Sequence, residues 1–167
     1  MSRDPGHVGA SEHVAAVHEA GHTIVALCIG GGVTRVIAKS IGNATVTLRG
    51  LDTMSPLHRA AYYLAGDAAE MKVLGGSDSR TGNEDRARVA ELRLTEDDIN
   101  RAQALAECCL AINESELDKV IGRLQQSGPG TKKSLDSDEL GRLVDVQPCP
   151  DPQDECVEET ESGTTMA

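Results

Sequence analysis

The chain has 167 residues, enough for one domain with a substantial core but not for two enzymes. Its formal net charge of −11 argues against nucleic acid or an anionic membrane surface as a partner. Hydrophobic content of 39 % with only two tyrosines, no Phe and no Trp means a core built from Ala, Leu, Val and Ile, which suits closely packed helices.

In chain order, residues 1–10 read as a flexible N-terminus, and the domain proper is expected over 11–146. Ser11 can act as N-cap of a first helix, in which Val14, Val17, Gly21, Ile24, Val25 and Cys28 fall near a 3.6-residue period. Gly30-Gly31-Gly32 ends that helix. The stretches 33–39 and 44–49 alternate and are rich in β-branched residues. With the turn formers Ser40-Ile41-Gly42-Asn43 between them they predict a hairpin. A sheet of two or three strands needs a helix to cover it, and the first helix is the obvious candidate.

Ser55-Pro56 starts the next helix, Ser as N-cap and Pro at the first helical position, running to Leu74 before Gly75-Gly76. A polar loop over 77–82 leads to a short helix over about 83–94. Thr95-Glu96-Asp97-Asp98 opens a longer one whose acids complement the helix dipole, with a break near Asn113. Ser127-Gly128-Pro129-Gly130 is a loop, and Asp136 with Glu139 is a capping-box-like start for a last helix through Val144. The class is mainly α with a small β-hairpin or sheet, that is, α+β.

From Pro148 onward the chain has six acids and no basic residue, so 147–167 reads as an acidic disordered tail. The five cysteines (Cys28, Cys108, Cys109, Cys149, Cys156) are odd in number and form no CxxC pair. No signal peptide and no apolar run of transmembrane length is seen, and a reducing cytoplasm fits best. A second metal site from Cys149 and Cys156 in the tail is a minor alternative.

The most informative stretch is His18-Glu19-Ala20-Gly21-His22. Two histidines four residues apart share one helix face, so both imidazoles can meet a zinc ion at roughly 2.0–2.1 Å. Glu19 then sits beside the metal, placed to take a proton from the water there. A histidine-bearing helix without metal is the bland alternative. A catalytic zinc wants a third protein ligand and an open position. There is no His six residues after His22, which removes the metzincin pattern. Glu70 or Glu91 on a following helix would give a thermolysin-like set, and Asp85 is the best-placed aspartate. His7, His13 and His58 lack ligand spacing. Tyr62 and Tyr63 could stabilise an oxyanion, but one core ring is the simpler role.

The order of further motifs resembles the peptidase domain of the FtsH-type ATP-dependent zinc proteases. That family has an HEAGH-like helix, then a GGxAAE-like helix ending in glycine, then a TG-containing loop with an Asp entering an Arg- and Ala-rich helix. Here Leu64-Ala65-Gly66-Asp67-Ala68-Ala69-Glu70, Gly75-Gly76 and Thr81-Gly82-Asn83-Glu84-Asp85-Arg86-Ala87 follow in that order. The resemblance covers about residues 10–145. It implies a zincin-like metallopeptidase domain with His18, His22 and Asp85 as zinc ligands and Glu19 as catalytic base, acting on peptides or unfolded proteins. The loop before Asp85 is about one residue shorter than the family pattern, which keeps Glu84 as a rival ligand. Glu70 could instead accept a hydrogen bond from a ligand histidine and orient its ring. The family's ATPase module and membrane anchor have no counterpart: no GxxxxGK[ST] loop occurs. A separate ATPase partner is one way to supply unfolding, and the oligomeric state is open. The alternative to an enzyme is a non-catalytic binding or regulatory protein that keeps the peptidase fold and its zinc.

Overall fold

The computed structural model describes residues 5–78, 80–126 and 133–150. The chain folds as α1 (Pro5–Cys28), a hairpin of β1 (Gly32–Ser40) and β2 (Asn43–Arg49), α2 (Pro56–Leu74), α3 (Asn83–Glu91), α4 (Glu96–Ile112), α5 (Glu114–Gln125), β3 (Ser134–Asp136) and α6 (Ser137–Leu143). It is mainly helical with one small antiparallel sheet of order β2-β1-β3.

α1 is the centre of the molecule. Residues 15–26 are buried without interruption, because α2, α4, α5 and β1 surround the helix. The one-sided apolar stripe expected from the period is therefore a helix enclosed on all faces, and small residues make that enclosure feasible. Gly21 shows how close the packing is: a Cβ there would lie 2.5 Å from the Ala69 Cβ and 2.6 Å from the Ala65 carbonyl oxygen of α2. Alanines on both sides (Ala16, Ala20, Ala61, Ala65, Ala68) let the two helix backbones approach.

The helix begins at Pro5, six residues ahead of the expected start. Proline at a first helical position is itself a start signal, so part of the stretch read as flexible is helical. Ser11 lies inside α1 and its hydroxyl accepts from the Ile41 N–H (3.2 Å), tying the helix to the hairpin turn instead of capping. Residues 1–4 and the His7 side chain lie outside the described residues.

The hairpin forms where the alternation placed it, turning through Ile41 and a left-handed Gly42 (φ 81°). The third strand pairs Arg35, Val36 and Ile37 of β1 with Asp136, Leu135 and Ser134. Three residues are too short to carry a period, which is why only the cap that follows is readable: Asp136 Oδ1 accepts from the Glu139 N–H (2.8 Å). The other caps also match expectation. Ser55 accepts from the His58 N–H, Gly75 closes α2 in the left-handed region (φ 76°), and Thr95 accepts from the Asp98 N–H. Asn113 separates α4 from α5.

The domain also extends past the expected boundary at 146. Asn113 Oδ1 accepts from the Gln147 N–H (2.7 Å), and the Cys149 N–H donates to the Cys28 carbonyl (2.8 Å), so residues 147–149 form a strap on the body. The 127–130 loop, residues 151–167 of the acidic stretch and Cys156 lie outside the described residues.

Candidate metal centre

His18 and His22 lie on the face of α1 that meets α2 and the start of α3. The His18 ring fits only because residue 66 has no side chain: a Cβ on Gly66 would fall onto the imidazole. Each ring is anchored through Nδ1. His18 Nδ1 meets Glu70 Oε1 at 2.6 Å and His22 Nδ1 donates to the Tyr62 carbonyl at 2.8 Å. A carboxylate and a carbonyl can only accept, so both Nδ1 atoms carry hydrogen and both Nε2 atoms face the cleft.

The two Nε2 atoms are 3.0 Å apart, and Asp85 Oδ2 lies 3.2 Å from each. Three lone-pair atoms thus converge on one point, an arrangement that repels itself unless a cation stands between them. In the metal-free protein a proton plays that part. Burial pulls the His18 imidazole down, but its hydrogen bonds to Asp85 and Glu70 and the charges of Glu19 and Glu70 outweigh it, and its pKa rises to about 10. Burial pushes Asp85 up, yet the two imidazoles more than compensate and hold its carboxyl well below the usual range. The separations also suit a metal: a zinc tetrahedron with bonds of roughly 2.0–2.1 Å has edges of about 3.3–3.4 Å. Two imidazole nitrogens and one carboxylate oxygen are a donor set zinc accepts.

Glu70 is the support beneath this set. It is fully buried, and its carboxylate accepts from His18, from the Thr81 hydroxyl (2.6 Å at Oε1) and from the Asp78 N–H (2.6 Å at Oε2). Burial raises its pKa, but those hydrogen bonds outweigh burial and leave it lowered, so Glu70 is an anion. Of the two roles weighed for it, the geometry gives ring orientation; its oxygens point away from the Nε2 pair. Glu84, the rival to Asp85, extends into solvent beside Arg88 (3.4 Å), and Glu91 is likewise exposed.

Asp85 enters from the first turn of α3, where the helix dipole favours an acid. A clamp that the sequence did not single out fixes that turn. Arg86 donates Nη1 to Asp67 Oδ2 of α2 (2.5 Å) and Nη2 to the Thr81 carbonyl and Asn83 Oδ1 (2.9 Å each). The adjacent Gly66-Asp67 and Asp85-Arg86 pairs were visible as motif letters; only the fold reveals that they face each other.

The cluster opens into a cleft of about 400 Å³ walled by α1, by Ala44, Thr45 and Val46 of β2, and by the 80–85 turn. Glu19 lines it, 7 % exposed, with a pKa raised chiefly by burial and also by Asp85, against the opposing pull of both histidines. Tyr62 is a buried ring tilted against His22 (centroids 5.0 Å), and Tyr63 packs against Tyr62. His13 and His58 stand outside the cluster. Scans of the chain against protein-family models and against curated proteins found no match.

Proposed function

We propose that the chain is a zincin-like zinc peptidase, akin to the peptidase domain of the FtsH-type proteases, with His18, His22 and Asp85 as metal ligands and Glu19 as general base. The observation that carries this reading is the convergence of two Nε2 atoms and one carboxylate oxygen, 3.0–3.2 Å apart, at the wall of a cleft that also holds a buried Glu.

A bound zinc supplies Lewis acidity, polarising a carbonyl and making water acidic enough to serve as a nucleophile near pH 7. The chain's own groups do the rest. Glu19 accepts the proton that the attacking water gives up and returns it to the leaving amine. Glu70 and the Tyr62 carbonyl hold both imidazoles in the tautomer that turns Nε2 to the cleft.

Among the described residues β2 is an outer strand of the sheet and borders the cleft, so an extended peptide can pair along it and lie across Glu19. Substrates are accordingly peptides or unfolded segments.

The test is cleavage of a peptide library alongside metal analysis of wild type and Glu19→Gln. Wild type is expected to hold zinc at this site and cleave. Glu19→Gln should keep that zinc and lose activity by about 10²–10⁴-fold. Full activity in Glu19→Gln removes the assigned base, and zinc binding without cleavage by wild type replaces the peptidase reading with a binding role.

A further inference from the structure

A second group of donors converges at the far end of α1, six residues beyond His22. Cys28 closes α1, Cys109 lies in the last turn of α4 and Cys149 sits in the strap, and their Sγ atoms all lie within 4.8 Å of one another. Cys28 and Cys109 are buried and Cys149 is half-buried. The surroundings are organised by Asn113, itself buried at 2 % exposure. Its Nδ2 faces Cys28 Sγ (3.7 Å), the Cys109 carbonyl (3.0 Å) and the Gln147 carbonyl (3.2 Å), while its Oδ1 holds the Gln147 N–H. The Cys149 N–H bond to the Cys28 carbonyl then places the third thiol beside the other two.

Packing explains two buried thiols as small apolar side chains. It does not account for a third thiol that a separate segment, anchored through Asn113 and the Cys28 carbonyl, brings to the other two. A disulfide is the competing chemistry, and it would join two sulfurs and leave the third out.

We propose that Cys28, Cys109 and Cys149 form a trithiolate site for a soft metal ion, zinc or copper(I), that fastens the 147–150 strap to α1 and α4. Thiolate ligands select these ions. Zinc–sulfur bonds of roughly 2.3 Å put tetrahedral sulfurs about 3.8 Å apart, within the span observed here. Binding releases the three thiol protons to solvent, including the one that Cys149 Sγ donates to the Pro150 carbonyl (3.0 Å). Nδ2 of Asn113 remains to hydrogen-bond the Cys28 sulfur once it is an anion.

The experiment is a titration of the reduced full chain with Cd²⁺, in a Cys108→Ser/Cys156→Ser background, followed by ultraviolet thiolate-to-metal absorption. Nitrogen and carboxylate ligands give no such band, so the result is independent of the histidine cluster and of the peptidase reading. The expected outcome is a band that saturates at one thiolate-bound ion per chain and loses about a third of its intensity in Cys149→Ser. Exchange of the Cys149 amide hydrogen should slow by tenfold or more on metal binding. Displacement of Cd²⁺ by Zn²⁺ or by Cu⁺ at stoichiometric amounts then tells which ion the site prefers, and either supports the site. Absence of the band at one equivalent, or an unchanged band in a folded Cys149→Ser protein, overturns the proposal.

Discussion

Glu70→Gln probes the support of the histidine cluster without changing its shape. The carboxylate accepts three hydrogen bonds, two at Oε1 and one at Oε2. A glutamine can put its carbonyl oxygen where Oε1 stands, but its NH₂ then faces the Asp78 N–H, donor against donor. One half-buried N–H loses its partner, at about 1–3 kcal/mol, and the two retained bonds change from charge-assisted to neutral, at about 1 kcal/mol each. The metal-free protein should therefore lose about 3–5 kcal/mol, a fall in Tm of roughly 10 °C for a domain of this size. His18 also loses the anion that fixes its tautomer, and zinc affinity should drop about 10–100-fold. Thermal melts in chelator and chelator-competition titrations of zinc read the two effects separately. Glu70→Gln melting within about 2 °C of wild type and binding zinc equally well would refute the assignment of Glu70 as a buried anionic support.

The pH dependence of the metal-free protein follows from the same cluster. His18, faced by Glu70, Asp85, Glu19 and His22, has its pKa raised from 6.5 to about 10. Its contribution is full below pH 6.5 and is lost as pH climbs toward 10, so the wild-type melting temperature should fall across that interval more steeply than that of His18→Asn. Gly66→Ala puts a methyl group on the His18 ring. Overpacking of about 1–3 kcal/mol outweighs a helix-propensity gain of about 1 kcal/mol, and loss of zinc measured by metal analysis is the larger effect. Arg86→Ala removes the clamp on the turn that carries Asp85. Its pair with Asp67 is partly exposed and worth at most about 1 kcal/mol, so melting should barely move while zinc affinity falls severalfold.

What could be read from the chain tracks how local the signal is. The HEAGH spacing, the hairpin turn and the caps at Ser55, Thr95 and Asp136 are written within four residues, and each appears in the fold. Pairing of Leu135 with Val36 depends on contacts a hundred residues apart and left no trace in a three-residue strand. Glu70 is intermediate. The sequence placed it on the right helix, but only the direction of its side chain separates ligand from support. Cys149 looked like part of a charged tail because composition averages over the acids that follow it, and its anchorage to Cys28 is a tertiary fact. The start of α1 was missed for the opposite reason: Gly6 and Gly9 lower helix propensity, and burial along the rest of the helix overrides them.

The close seat of α1 on α2 has one more consequence. Gly21 against Ala65 and Ala69 leaves the two backbones no room to slide, and the imidazoles are tethered to α2 through Glu70 and the Tyr62 carbonyl. The donor atoms are thus positioned by the scaffold itself, unlike those of a zinc finger, whose chain collapses around its ion. Stripping the metal should accordingly be a reversible exchange on a standing framework: circular dichroism unchanged by chelator, and binding restored at once when zinc is returned.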